Sequence, residues 1–234
     1  DYRISQRDWT IYMSSQGSHM HRSTYAEIFH KPATAFRVIA PDVGGGFGMK
    51  GGVFPEDAMC AWASMKLCKP VKWTATRSES LVSDTHGRDA ECLSEMALDA
   101  NGKILAIRVM ADYGLGAYLS ASAPVPACIG SMVYPNVYEY EAMHIHIRVV
   151  FSHTTWTGPY RGAGRPESVY VVERLLDIAA DEIGIDPVEI RKRNYITKEK
   201  MPFTTLVPTV YDSGDFAGVT EHAAEVADIP GFAA

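Results

Sequence analysis

The ten residues Val43-Gly44-Gly45-Gly46-Phe47-Gly48-Met49-Lys50-Gly51-Gly52 are the first place where this sequence could do chemistry. They stand between an apolar run, Ala35 to Ala40, and a helical pattern, Phe54 to Leu67. A glycine cluster in that position exposes successive backbone N–H groups beside a helix N-terminus, a geometry that binds anions, usually phosphate. Gly46-Phe47-Gly48-Met49-Lys50-Gly51 matches the dinucleotide pattern G-x-G-x-x-G. That pattern also needs an acid about 20 residues on. Here the position falls near Val71-Lys72-Trp73, and the next acid, Glu79, comes too late. A phosphate loop of the Walker type fails too, since Lys50 is followed by Gly51 rather than Ser or Thr. A plain strand-to-helix turn would need fewer than four glycines in five residues, so a ligand is the better reading.

A second glycine-rich loop, Tyr160-Arg161-Gly162-Ala163-Gly164-Arg165, precedes another helix start at Pro166-Glu167. Its guanidiniums could add charge-assisted donors to an anion site, or pair with surface acids in a solvated loop. His19-x-His21 and His144-x-His146 put two imidazoles on one face if each segment is a strand. With no third ligand nearby, the polar face of a strand explains them better than a metal does. Gln16 lies in a polar turn, Ser14 to His19, and no Ser-His-Asp or Cys-His arrangement can be argued from spacing.

These loops need elements to hold them. Trp9 to Ser14 and Phe36 to Ala40 read as strands, and Thr24 to His30 as a short helix stopped by Lys31-Pro32. Val71 to Thr76 is β-branched and reads as a strand, followed by a polar connection through His86. Glu91 to Asp99 and Lys103 to Asp112 alternate around Asn101-Gly102, a strong signal for a two-residue hairpin turn. Gly114 to Val133 is rich in small residues and suggests a long wrapping segment. Tyr138 to Val150 reads as a strand. A helix from Pro166 to Ile183, with Val169, Val172, Leu176 and Ala180 on one face, stops at Gly184. Asp186-Pro187-Val188-Glu189 reads as a capping box, and Asp212-Ser213-Gly214-Asp215 caps a last helix from about Phe216. The class is α+β, antiparallel strands with packed helices.

The 234 residues carry a net charge of −6, with 21% charged and 47% apolar residues, an ordinary globular balance without a basic stripe for nucleic acid. Arg191-Lys192-Arg193 reads as a solvated helix end. Cys60, Cys68, Cys92 and Cys128 lack C-x-x-C spacing and suggest buried thiols in a reducing compartment. No apolar run reaches the ~20 residues that span a bilayer. The chain starts at Asp1 without methionine and stops at Ala233-Ala234, as an excerpt of a longer polypeptide would.

Four motifs together resemble the molybdenum-binding large subunit of the xanthine oxidase family, which includes aldehyde oxidases, xanthine dehydrogenases and aerobic carbon monoxide dehydrogenases. They are Ser15-Gln16-Gly17-Ser18-His19, Gly44 to Lys50, Tyr160 to Glu167, and Tyr211-Asp212-Ser213-Gly214-Asp215-Phe216. The resemblance covers nearly the whole chain, residues 1–234. It implies a molybdopterin-binding region within a larger subunit, whose N-terminal part and C-terminal part with the catalytic glutamate lie outside this sequence. It also implies hydroxylation by water at a pterin-bound molybdenum. The pterin would be the cytosine dinucleotide form, and molybdenum would be held without a protein ligand. Electrons would leave through a 2Fe-2S small subunit and an FAD medium subunit of a dimer of heterotrimers, in a bacterial cytoplasm.

Carried onto this sequence, the resemblance makes Gln16 a hydrogen-bond partner of a molybdenum oxygen ligand. Gly45, Gly46, Phe47 and Gly48 present backbone to the cofactor, Arg161 lines the site, and Tyr160, Gly162 and Ala163 bound the substrate pocket. Copper–molybdenum carbon monoxide dehydrogenases have cysteine where Gly162 stands, so the copper ligand is missing here and the chain is similar to the form II proteins. Gly51 replaces the purine-contacting glutamate of xanthine dehydrogenases, and Ala163 replaces their substrate-stacking phenylalanine. Aldehydes or N-heterocycles are therefore the expected substrates. The family's glutamate base, in a Gly-Val-Gly-Glu context, has no counterpart in this sequence, so the chain alone should not turn over. The alternatives are a carbon monoxide dehydrogenase large chain in name only, a nicotinamide-dependent dehydrogenase using Gly46-x-Gly48-x-x-Gly51, or a non-catalytic interaction domain.

Overall fold

The computed structural model describes residues 1–232; Ala233-Ala234, the end of the chain in the sequence reading, lie outside them. The chain divides into two compact units. The first comprises residues 1–87, 115–125 and 151–163, and the second residues 88–114, 126–150 and the described residues from 164 onward.

The first unit is built on β1 (Tyr2–Arg3), β2 (Asp8–Tyr12) and β3 (Phe36–Ile39), in sheet order β1-β2-β3. β1 and β2 are antiparallel, but β2 and β3 are parallel, from Trp9 opposite Phe36 to Tyr12 opposite Ile39. That pair adds a parallel neighbour to the antiparallel strands expected. Parallel neighbours need a crossover, and α1 (Ser18–Phe29) supplies it. The helix starts earlier than the sequence suggested, taking in His19 and His21. It ends where His30 takes a left-handed conformation (φ 51°) just before Lys31-Pro32.

Packed on this motif is α2 (Pro55–Leu67), with Pro55 in its first turn and the Asp57 carboxylate accepting from Phe54 N at 2.9 Å. The core is aromatic: Trp9 and Phe36 stack at 4.7 Å, Tyr25 is fully buried, and Trp9 Nε1 donates to Ala61 O at 3.0 Å. Of the apolar α2 positions only Ala61 is buried, while Trp62 is exposed with Lys66 Nζ 5.7 Å above its ring. Residues 71–76 are not a strand. Thr76 instead caps α3 (Arg77–Ser83), in a reciprocal pairing with Glu79 that the sequence reading passed over.

The second unit holds the sheet β4-β5-β6, where β4 is Ala90–Leu98, β5 begins at Ile104 and runs to Gly116, and β6 is Ala142–Phe151. The β4–β5 hairpin forms as expected but its turn is longer than two residues. Asp99 N donates to Lys103 O at 2.9 Å, the Asp99 carboxylate accepts from Asn101 N and Lys103 N, and Gly102 takes φ 78°. An acid able to bind two turn amides favours the wider loop. Tyr138 lies outside β6, in a bridge to Tyr195, and part of the small-residue segment forms α4 (Val125–Ser131).

α5 (Arg165–Ile183) buries Val172, Leu176 and Ala180 as anticipated, whereas Val169 is exposed and Ser168 takes the inward place. α6 (Pro187–Asn194) is capped by Asp186, but Glu189 pairs with Arg193 rather than closing the box. Arg191 is no solvated helix end: it bonds Glu173 at 2.7 Å and Asp177 at 2.8 Å, while Lys192 pairs with Glu221. Short strands β7 (Phe203–Thr204) and β8 (Val210–Tyr211) precede α7 (Phe216–Val226), capped by Asp215, and α8 (Ile229–Phe232). All four cysteines are free, but Cys68 and Cys128 are exposed rather than buried.

Candidate functional site

The residues singled out from sequence, Gln16, Gly45, Gly46, Phe47, Gly48, Tyr160, Arg161, Gly162 and Ala163, all fall in the first unit. Between β3 and α2 the glycine loop adopts a backbone that ordinary residues resist: φ is 66° at Gly44, 89° at Gly45, 54° at Phe47 and 97° at Gly48. A one-turn 3₁₀ helix, Met49–Gly51, closes it, with Met49 N donating to Gly46 O and Gly51 N to Gly48 O. Lys50 turns back so that its Nζ donates to Val43 O at 2.6 Å, a structural use of the lysine rather than a phosphate contact.

Among the described residues, no acceptor takes the N–H groups of Gly44, Gly45, Gly46 or Phe47. Such a run of amides with left-handed residues is an anion-accepting backbone. The cradle depends on missing side chains. A Cβ on Gly48 would lie 2.7 Å from the Pro159 carbonyl carbon and closer still to its oxygen. A Cβ on Gly46 would lie 2.5 Å from Gln16 Cδ. The obstacle at Gly46 is thus the glutamine side chain.

Gln16 is exposed and reaches across to the loop. Its Oε1 accepts from Gly48 N at 2.9 Å, and its own N–H donates to Lys50 O at 2.9 Å. With Oε1 engaged, the amide NH₂ is left as a donor. The second loop arrives through Gly158, whose N–H donates to His86 O, and through Arg161, whose N–H donates to Phe47 O at 3.0 Å. The Arg161 guanidinium lies 5.8 Å from the Phe47 ring centroid, a cation–π distance. Gly162 at φ 103° and Ala163 at φ 47°, with Ala163 N bonded to Tyr160 O at 2.8 Å, turn the chain sharply there. The structure therefore brings Gln16, Gly46 to Gly48 and Arg161 into direct contact. A cavity of about 470 Å³ opens beside Met49, lined also by Arg77, Ser80, Asp84, His86 and Thr155; Tyr160, Gly162 and Ala163 are not among the residues lining it.

Sequence reasoning missed the underside of this arrangement. His19 is exposed, but His21 is buried on α1 beside buried Ser15. Two residues apart on a helix, they cannot face one ligand as they would on a strand. The signal was available in the spacing of His21 and Tyr25, which repeats at four residues on the inward face. His144 and His146 do lie on a strand, β6, both exposed, and no cluster of metal-ligating residues exists among the described residues. No described helix is long and apolar enough to cross a membrane.

Comparison with known proteins gives a consistent result. Residues 2–195 match the model of the molybdopterin cofactor-binding domain. The 6-hydroxypseudooxynicotine dehydrogenase complex subunit gamma of Paenarthrobacter nicotinovorans is 35% identical over 95% of this chain, which spans 29% of that protein. The carbon monoxide dehydrogenase large chain of Hydrogenophaga pseudoflava is 34% identical over 97% of the chain and is likewise covered for 29% of its length. Among solved structures, quinoline 2-oxidoreductase from Pseudomonas putida 86 superposes with a TM-score of 0.94 at 28% identity, over 99% of this chain and 30% of that one.

Proposed function

Because the chain belongs to the molybdopterin cofactor-binding family, we propose that it is the cofactor-binding region of a longer molybdenum hydroxylase subunit. The observation that carries this reading is the joint between the loops: Gln16 Oε1 on Gly48 N, and Phe47 O on Arg161 N, beside four amides with no acceptor among the described residues. Such a cradle suits an anionic, oxygen-rich group approached by backbone, and its glycines leave the room that approach needs.

In this proposal Gly45, Gly46, Phe47 and Gly48 offer backbone to the cofactor, and the Gln16 amide NH₂ donates to an oxygen of the metal centre. Arg161 adds positive charge at the rim, held against Phe47. Tyr160, Gly162 and Ala163 shape the substrate side. When bound, molybdopterin supplies two-electron redox chemistry at molybdenum with water as the source of oxygen. A glutamate base would come from elsewhere in the subunit, and a 2Fe-2S subunit and an FAD subunit would take the electrons. N-heterocycles are the favoured substrates: Gly162 and Ala163 carry no more than a methyl group, and no thiolate stands at position 162 to hold copper. The names of the relatives above, a 6-hydroxypseudooxynicotine dehydrogenase and a quinoline oxidoreductase, point the same way.

The test uses the intact protein with its partners. Molybdenum is quantified by mass spectrometry, the pterin is released and its nucleotide identified, and turnover is screened with N-heterocycles, aldehydes and carbon monoxide. Stoichiometric molybdenum with oxidation of a heterocycle or aldehyde is expected. Gly46→Val should abolish loading, since its side chain occupies the place of Gln16. Full molybdenum occupancy in that variant would overturn the assignment of this loop.

A further inference from the structure

His21 is 1% exposed, yet its imidazole touches three polar atoms belonging to the two segments that form the cradle. Nδ1 lies 3.0 Å from Ser15 Oγ and 3.0 Å from Gly17 O, and Nε2 lies 3.0 Å from Gly52 O. Ser15 Oγ in turn accepts from Gly17 N at 2.9 Å. With its proton on Nε2 the ring donates to Gly52 O and accepts from the Ser15 hydroxyl at Nδ1; with the proton on Nδ1 it donates to Gly17 O instead. In the first form the ring bridges the turn before α1 and the last residue of the glycine loop. On either side of that bridge lie the contacts that set the cradle, Gln16 N to Lys50 O and Gly48 N to Gln16 Oε1.

We propose that His21 is a positioning residue: from beneath, it fixes the Gln16 turn against the Lys50–Gly52 end of the glycine loop. Gln16 is exposed, and its side chain lies against Gly46 with its oxygen on Gly48 N. Its reach to Gly48 is set by backbone position, and that position is pinned at Ser15 and Gly52 by one ring. A phenylalanine would fill the same volume and pin neither. Glutamine, with an NH₂ donor and a carbonyl acceptor on a flexible stem, can restore part of the bridge.

The inference rests on the cofactor reading only for its consequence, and the experiment separates the two. Backbone hydrogen exchange is followed in the intact protein, with and without cofactor, for wild type, His21→Phe, His21→Gln and Ser15→Ala. Losing the bridge should raise exchange about tenfold in segments 14–18 and 46–52, leaving β2 and β3 unchanged. Molybdenum content should fall in parallel in His21→Phe and recover partly in His21→Gln. Should His21→Phe fail to fold, Ser15→Ala removes one arm of the bridge and should loosen the same two segments to a smaller degree. Unchanged exchange in both segments, or a uniform rise that includes β2 and β3, overturns the proposal. A wild-type protein that takes up no molybdenum would instead sink the cofactor reading, while exchange would still decide the role of His21.

Discussion

The glycine loop can be tested one residue at a time, because the structure assigns different reasons to different glycines. Gly51 has no left-handed backbone and a Cβ there would meet open space. Gly51→Ala should cost nothing and stabilise by about 0.4–1 kcal/mol, by reducing the freedom of the unfolded chain. Gly44 also has open space, but φ is 66°, so Gly44→Ala bears only the left-handed penalty of roughly 1–2 kcal/mol. Gly48 combines φ of 97° with a Cβ driven into the Pro159 carbonyl, which is backbone and cannot swing away. Its strain of roughly 1–2 kcal/mol adds to an overpacking cost of about 1–3 kcal/mol, giving about 2–5 kcal/mol. For a protein of this size each kcal/mol moves the midpoint by about 2–4 °C. The three variants should therefore melt in the order Gly51→Ala above Gly44→Ala above Gly48→Ala, with Gly48→Ala roughly 10 °C below wild type. Calorimetry on the intact protein reads this directly. If Gly48→Ala melts no lower than Gly44→Ala, the close approach of the Pro159 segment is not what makes residue 48 a glycine.

Gly46 makes a different prediction, since the atoms nearest an added Cβ belong to the Gln16 side chain: Gly46→Ala and Gln16→Ala should each cost about 1 kcal/mol, the value of one hydrogen bond. The double variant should cost scarcely more than either, and additive losses in denaturant unfolding would refute the coupling. Arg191→Met should destabilise by about 1.5–3 kcal/mol, because the partly buried Glu173 loses a charge-assisted bond of 2.7 Å while keeping those from Asn136 and Tyr138; a loss below about 1 kcal/mol in urea unfolding would show the pair to be dispensable. Burial pushes the Asp57 carboxyl above its ordinary range, so the folded state holds that proton more tightly than the unfolded chain does. Stability attributable to this group is then highest at acid pH and falls as pH rises from the ordinary carboxylate range through the raised value. Asp57→Asn, which keeps an acceptor for Phe54 N, should flatten that stretch of the profile; identical slopes in wild type and variant would contradict it.

Local signals carried much of the fold, and the places where they failed share a cause. Pro55, Gly184, Asp186 and Asp215 act within a few residues, and each marks the helix end that the structure shows. Residues 71–76 were misread because β-branched composition says that a segment suits a sheet, not that a neighbouring strand exists. α1 was read too short because Gly17 offers no side-chain cap; the helix is fixed by burial of His21 and Tyr25, which is a tertiary fact. Arg191 looked like a solvated charge for the same reason. Its partners Glu173 and Asp177 stand 18 and 14 residues away, on a helix whose packing no local pattern reveals.

The candidate site was legible in its residue types and illegible in its division of labour. The G-x-G-x-x-G match names three glycines, and the structure gives them different tasks. Gly46 makes room for a side chain, Gly48 admits a neighbouring backbone while bending left-handed, and Gly51 is held to neither. That division accounts for why the dinucleotide pattern arrived without its acid: the loop is shaped by Gln16 and the Pro159 segment, both remote in sequence, rather than by a nucleotide's ribose. A cradle assembled from three separate segments has no single-stretch signature. Its specificity lies in the pairs Gln16–Gly48 and Phe47–Arg161, the first made by the Gln16 side-chain oxygen on a backbone N–H, the second by backbone atoms alone. Exchanging side chains at Phe47 or Arg161 should therefore disturb the cradle less than adding a single methyl group at Gly48.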